Sequence, residues 1–123
     1  MPDPRHLLGQ RGEEMAAAWL ASRGWSILAR RWRCEAGELD LVAFDPGGVL
    51  VAVEVKLRRG MRAGDPLESI DRKRLLRLRA ALGRYASTLG RSVGEGLRID
   101  LVAVSPAPEG GWRLALHAGI DAW

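Results

Sequence analysis

One stretch of the sequence restricts the fold more than any other: Val49–Leu57 is almost wholly apolar but contains a carboxylate, Glu54. Consecutive apolar residues indicate a strand that is buried on both faces. Because side chains alternate along a strand, Glu54 and Lys56 are expected on the same face. An isolated carboxylate is costly to bury, so the sequence predicts a partner for Glu54. Lys56 is one candidate partner, and a bound cation is another.

The preceding segment, Glu38–Phe44, is also strand-like and carries Asp40 on the same face as Glu38. The intervening Asp45-Pro46-Gly47-Gly48 is a strong turn signal, because proline fixes one φ angle and glycine accepts positive ones. We therefore expect an antiparallel hairpin that brings Asp40 close to Glu54.

Two neighbouring carboxylates repel each other unless a proton or a metal lies between them. Oxygen ligands suit hard cations such as Mg²⁺ or Mn²⁺, which use few protein ligands and keep several waters. Beside such a cation, Lys56 could orient or deprotonate a water, or stabilise charge on a phosphate. These groups predict metal-assisted hydrolysis of a phosphodiester.

The remaining patterns predict two helices and three further strands. Apolar residues at three- and four-residue spacing indicate a helix over Gly9–Arg23, which Gly24 ends. A second helix is predicted to begin at Asp65-Pro66-Leu67-Glu68, with Asp65 and Glu68 as capping residues and Ser69 as an alternative N-cap, and to end near Leu89. The other predicted strands are Trp25–Trp32, Leu97–Ser105 and Trp112–Ala118. The order α-β-β-β-α-β-β indicates an α/β fold with a central mixed sheet flanked by helices.

Length and composition limit the class of protein. A chain of 123 residues, 47% hydrophobic and 28% charged, is expected to form a single globular domain over residues 1–123. The apolar run Val49–Val53 is far shorter than the ~20 residues that span a bilayer. The N-terminal residues lack the apolar core of a secretory signal, so we expect a cytoplasmic protein without a membrane partner. The single cysteine, Cys34, can form no internal disulfide.

Charge is distributed unevenly. The chain has nineteen Lys and Arg residues and fifteen Asp and Glu residues. Ten of the basic residues but only three of the acidic ones lie between Lys56 and Arg84. Such a segment fits contact with phosphates, which provides affinity without sequence information, although a basic helix face can also be merely solvated. The candidate nucleic-acid-binding residues are Arg58, Arg59, Arg62, Lys73 and Arg77, with Arg84 on the same helix stripe.

These motifs resemble those of known proteins. The spacing of three residues resembles the signature of the PD-(D/E)XK nucleases, the restriction-endonuclease-like superfamily: thirteen residues separate Asp40 from Glu54, and one separates Glu54 from Lys56. The sequence is more closely similar to the YraN-type family of small bacterial proteins. The segments that carry this resemblance are Gly12-Glu13 with Ala17 and Leu20, Gly37-Glu38-Leu39-Asp40-Leu41, Val53-Glu54-Val55-Lys56, and His117 with Ala122-Trp123.

The resemblance implies a restriction-endonuclease-like fold similar to that of archaeal Holliday-junction resolvases. It further implies that Asp40 and Glu54 bind the metal with the Val55 carbonyl, and that Lys56 acts on the attacking water. Glu13 matches an additional acidic residue of the resolvase-like branch, with the neighbouring Glu14 as a substitute.

Three functions follow as hypotheses. The first is a Mg²⁺- or Mn²⁺-dependent endonuclease acting on DNA of branched or otherwise unusual shape, for which a homodimer would supply two sites. The second is a nucleic-acid-binding protein that retains the nuclease fold without cleaving. The third is a protein-interaction subunit with a structural acidic cluster. Trp32, between two arginines, is expected either to stack on unpaired bases or to pack in the core.

Overall fold

The computed structural model describes residues 4–58, 67, 70–90 and 96–121 of the chain, with side chains from residue 9 onward. Within these residues the elements follow the predicted order. In chain order they are α1 (Pro4–Ser22), β1 (Ser26–Cys34), β2 (Gly37–Phe44), β3 (Leu50–Leu57), α2 (Arg72–Thr88), β4 (Leu97–Pro106) and β5 (Trp112–His117). Neither helix, over the part described, is long and apolar enough to cross a membrane.

The five strands form one mixed sheet in the spatial order β1-β2-β3-β4-β5. Neighbouring strands are antiparallel except β3 and β4, which are parallel and are joined through α2, because parallel neighbours require a crossover connection. The β2–β3 hairpin closes at the predicted turn. There the Asp45 carboxylate accepts hydrogen bonds from the backbone N–H groups of Gly47 and Val49, each at 2.9 Å, and Gly48 has a φ of +87°.

The helices cover opposite faces of the sheet. On one face α1 packs its small and apolar residues, including Ala16 and Leu20, against Val51, Val53 and other residues of the central strands. On the other face α2 buries Leu75, Leu78 and Leu82 against residues that include Leu50 and Ile99. The fold class is therefore α/β with a mixed sheet between helices, as predicted for a restriction-endonuclease-like domain.

Trp32 belongs to the core on the α2 face, so the packing interpretation is confirmed for this residue. Its ring meets that of Tyr85 edge-on, with the centroids 5.2 Å apart and the planes at 90°. Trp25 is also buried. The predicted stops of both helices are occupied by glycines with left-handed backbone, Gly24 at φ +92° and Gly90 at φ +62°, a conformation that favours glycine.

An ionic cluster around the buried Asp100 lies at the start of β4. Arg98 donates to both carboxylate oxygens of Asp100, at 2.8 and 2.9 Å, and to Asp45 at 2.9 Å. Asp100 is fully buried and also accepts a hydrogen bond from the Gly119 N–H at 2.9 Å. The cluster thus ties the β2–β3 hairpin and the segment after β5 to the same strand.

The prediction for the start of the second helix was wrong. Helix α2 begins at Arg72, and its N-cap is Asp71, whose side chain accepts from the Arg74 N–H at 2.8 Å. Asp65, Pro66, Glu68 and Ser69, the predicted opening, lie outside the described residues. Asp71 satisfies the same chemical requirement as the predicted caps, because its carboxylate pairs with a free N–H of the first turn.

Removing this cap should therefore weaken the domain. We expect Asp71→Ala to lower the free energy of unfolding by about 1 kcal/mol, the usual cost of losing an N-cap, whereas Asp71→Ser should retain most of it. Urea denaturation followed by circular dichroism measures both changes. Equal losses for alanine and serine would contradict a capping role.

Candidate active site

The site lies where β2 and β3 separate. Their last paired residues are Leu41 and Val53. One position beyond this pair, a side chain takes the place of the backbone acceptor between the strands. The Asp40 Oδ2 accepts a hydrogen bond from the Val55 backbone N–H at 2.9 Å. The alternation of β2 changes at the same point: Leu39 packs on the α2 side and Leu41 on the α1 side of the sheet. Asp40 is thus directed at the strand that carries Glu54.

The neighbouring strand is irregular opposite Asp40. Arg31 lies between the pairs Arg30–Leu41 and Trp32–Leu39 and has a φ of +50°, which is uncommon for a residue other than glycine. Its Nε donates to the Glu13 carboxylate of α1 at 2.6 Å. Backbone strain of this kind costs of order 1–3 kcal/mol and often occurs at functional sites. Here the strained residue is Arg31, whose side chain also pairs with Glu13.

Glu54 is buried in the central strand of the sheet, with 4% of its side chain exposed. Among the described residues its cationic partner is Arg74, whose Nη2 lies 2.5 Å from Glu54 Oε1. Of the two candidate partners, Lys56 is therefore not the one that pairs with Glu54. Lys56 is half-buried on the same face by strand alternation and forms no ion pair with any described residue. Glu54 and Lys56 therefore do not form a surface ion pair, and their strand is the central one of the sheet rather than an edge strand.

Two other carboxylates, Glu54 and Glu13, act on Asp40 at this end of the sheet. Burial raises the pKa of Asp40, and repulsion from Glu54 and Glu13 raises it further, to about 7. The hydrogen bond from the Val55 N–H and the charge of Arg74 oppose this rise only in part. Glu13 reaches the site from α1, while Glu54 lies on the face covered by α2. Asp40 thus lies within electrostatic range of the two other predicted acidic residues, Glu54 and Glu13.

The donor set at this point consists of oxygen atoms. In a strand the N–H and C=O of one residue face the same neighbour, so the Val55 carbonyl faces the side from which Asp40 accepts. Two carboxylates and a carbonyl fit Mg²⁺ or Mn²⁺, which need few protein ligands. Within the described residues, no group of three or more His, Cys, Asp or Glu side chains is placed to hold a metal ion. A cation at this point would therefore rest on Asp40, Glu54 and the Val55 carbonyl, with waters in its other positions.

The predicted nucleic-acid-binding residues occupy two elements. Arg58 directly follows β3, and its N–H donates to the Val104 carbonyl at 2.8 Å. Lys73 and Arg77 are exposed on α2. Arg77 lines a cleft of about 250 Å³ between α2 and the β1–β2 turn. Arg59 and Arg62 lie outside the described residues.

Similarity to known proteins covers the whole of this site. The profile described as "Uncharacterised protein family UPF0102" matches residues 12–104. The chain belongs to this family. A UPF0102 protein of Acidothermus cellulolyticus is 44% identical over 116 residues, covering 87% of each chain. One of Symbiobacterium thermophilum is 44% identical over 109 residues, which cover 89% of this chain and 91% of the relative. A third, of Renibacterium salmoninarum, is 47% identical over 97 residues, which cover 79% of this chain and 80% of the relative.

The region matched by the UPF0102 profile contains all four predicted catalytic residues and also two arginines that sequence reasoning missed. Arg31 and Arg74 each pair with one acidic residue of the site. Arg74 lies among many basic residues of a helix, where no local pattern distinguishes it. The sequence indicated only that the buried Glu54 carboxylate requires a cationic partner. In this UPF0102 member the partner is Arg74 of α2.

Proposed function

We propose that this protein is a metal-dependent endonuclease that hydrolyses phosphodiester bonds in DNA, with branched or structured DNA as its substrate. The observation that carries the proposal is the position of Asp40 where β2 and β3 separate, half-buried and within electrostatic range of both Glu54 and Glu13. Like charges gathered in a partly buried place oppose folding unless they serve another purpose. Cation binding is the purpose that their oxygen donors fit.

Each residue of the site has a distinct role in this proposal. Asp40, Glu54 and the Val55 carbonyl hold the cation, and Glu13 adds negative charge from α1. A bound Mg²⁺ or Mn²⁺ supplies Lewis-acid stabilisation of the phosphoryl oxygens and a more acidic attacking water. Lys56, half-buried on the face of Glu54, orients that water or accepts its proton. Arg58, Lys73 and Arg77 contact the phosphates of the bound strand.

The proposal is tested with the wild-type protein on four DNA substrates: single-stranded, duplex, flap and four-way junction. We expect cleavage in Mn²⁺ or Mg²⁺, none in EDTA, and the highest rate on a branched substrate. Absence of cleavage on all four would contradict it. In that case, binding that weakens steeply with salt would support a non-catalytic nucleic-acid-binding protein.

The role of Lys56 has its own test. If the amine moves a proton in the reaction, Lys56→Ala should lower the cleavage rate by about 10²–10⁴-fold, while Mn²⁺ affinity is retained. Lys56→Arg keeps the positive charge but cannot exchange a proton near neutral pH. A rate for Lys56→Arg close to that of the wild type would show that charge alone suffices. The exposed Lys73→Ala is the matched control, for which we expect weaker DNA binding but an unchanged rate at saturating DNA.

A further inference from the structure

Arg74 contacts the carboxylate site and also borders a surface cleft. Its Nη2 contacts the buried carboxylate of Glu54, but 42% of its own side chain is exposed. It also lines the cleft of about 250 Å³ between α2 and the β1–β2 turn. The cleft is bordered by Ala36, Gly37, Glu38, Arg74, Arg77 and Leu78. One guanidinium therefore lies between the carboxylate site and a neighbouring surface cleft.

The contact of Arg74 with Glu54 uses only part of the guanidinium. Arginine forms its strongest carboxylate pairs through two parallel N–H bonds. Here a single nitrogen, Nη2, donates to Glu54, and the Arg74 Nε is buried without a hydrogen-bond partner in the described part of the protein. A buried donor of this kind calls for an explanation such as an absent ion or ligand. Arg74 thus retains capacity for a further anion.

The cleft has the charge and size for a phosphate. Arg77 lines it and forms no ion pair with the residues that the structure describes. Its acidic residue, Glu38, is paired with Arg33 at 2.7 Å. The volume is below the range of pockets that enclose a whole drug-sized ligand. It is suited to one phosphate of a longer strand that continues across the surface.

We propose that Arg74 is an exchangeable counter-ion, which neutralises Glu54 in the free protein and binds a phosphate of the nucleic acid in the cleft beside Arg77 once a divalent cation occupies Glu54. This inference rests on the proposed function, because it requires cation binding at Glu54. It couples the two events: the phosphate gains an arginine only when the carboxylate no longer needs one. Strand binding in this cleft is therefore strongest in the presence of the divalent cation.

The first test measures Mn²⁺ binding without nucleic acid, by electron paramagnetic resonance, in Arg74→Gln and in Arg77→Gln as the matched control. Because Arg74 competes for Glu54, Arg74→Gln should bind Mn²⁺ about five- to tenfold more tightly than the wild type. Arg77→Gln, which removes a charge from the same cleft, should bind Mn²⁺ as the wild type does. Unchanged or weaker Mn²⁺ binding by Arg74→Gln would overturn the exchange.

The second test measures affinity for single-stranded DNA as a function of salt, with Ca²⁺ as a cation and in EDTA. In Ca²⁺, both variants should bind more weakly, with a salt dependence shallower by about 0.7 per lost phosphate contact. In EDTA, only Arg77→Gln should differ from the wild type, because Arg74 is then held by Glu54. Equal losses for Arg74→Gln in both conditions would overturn the proposal.

Two comparisons separate failure of this inference from other failures. If the wild type binds no Mn²⁺, the proposed function and the inference both fail. If it binds Mn²⁺ but Arg74→Gln gives no increase, only the inference fails. Arg74→Lys, which keeps a cation near Glu54, guards against a loss of folding in the glutamine variant. We expect it to bind Mn²⁺ with an affinity between those of the wild type and Arg74→Gln.

Discussion

Glu54→Gln is expected to lower metal-dependent DNA cleavage by about 10³-fold or more, because losing a carboxylate ligand removes several kcal/mol of transition-state stabilisation. The amide oxygen can still accept from Arg74, so the core around this position should persist. DNA binding in EDTA should not decrease, since the substitution removes a negative charge. Initial rates at saturating DNA, together with thermal unfolding of the variant, measure both effects.

The matched control is Glu14→Gln. Glu14 is exposed on α1 beside Glu13, so the same chemical change there should leave the cleavage rate unaltered. If Glu54→Gln cleaves as fast as the wild type, Glu54 serves only as the counter-ion of Arg74, and the proposed site is wrong.

Asp40→Asn should stabilise the metal-free protein at alkaline pH. The pKa of Asp40 is raised from 3.8 to about 7 by burial and by the charges of Glu54 and Glu13. Between these two values the folded protein keeps a proton that the unfolded chain has lost. The contribution of Asp40 to stability is thus fully present below pH 3.8 and is lost as the pH rises through 7, by about 4 kcal/mol.

The expected result is a difference between wild type and variant that depends on pH. At pH 4 both should unfold at nearly the same temperature. At pH 8, without divalent cations, Asp40→Asn should melt higher by on the order of 10 °C. Added Mn²⁺ should raise the melting temperature of the wild type at pH 8 but not that of the variant, which lacks a ligand. A stability difference that is the same at both pH values would contradict the raised pKa.

Asp45→Asn is a control for which we expect the opposite change in stability with pH. Burial acts to raise the pKa of Asp45, but hydrogen bonds from the Val49 N–H and from Arg98 outweigh it, so the pKa lies below its ordinary value. The stability that Asp45 contributes is present above pH 3.8 and is lost as the pH falls below it. Asp45→Asn should therefore destabilise the protein at pH 8 and have less effect in acid.

Local sequence patterns predicted most of the fold. The apolar run Leu50–Leu57 and the turn at Asp45 define the central hairpin, and glycines at 24 and 90 mark the helix ends. The start of α2 could not be found in the same way. The capping pattern at Asp65 predicted an earlier start, whereas the N-cap of α2 in the structure is Asp71. Elements whose signals lie within one segment were predictable, whereas boundaries set by packing were not.

The candidate site was predictable to the same extent. The meeting of Asp40 and Glu54 follows from a hairpin with a defined turn, which is a local property. The pairing of Glu54 with Arg74 joins residues twenty positions apart through helix docking, and Lys56 was the nearer cation in sequence. The left-handed Arg31 left no sign at all, because arginine is not a residue that usually adopts this conformation. Long-range counter-ions and strained backbone therefore had to be seen in the structure.

The β2–β3 turn offers a practical means of following the protein at work. Its exposed Pro46 lies six residues along the chain from Asp40, roughly 20 Å at the rise of an extended strand. The chain has one native thiol, Cys34, which is partly buried. A Cys34→Ser, Pro46→Cys variant would accept a single fluorophore or surface tether at the end of the hairpin remote from Asp40 and Glu54. Single-molecule recordings could then test the proposed DNA binding with the probe placed away from the proposed site.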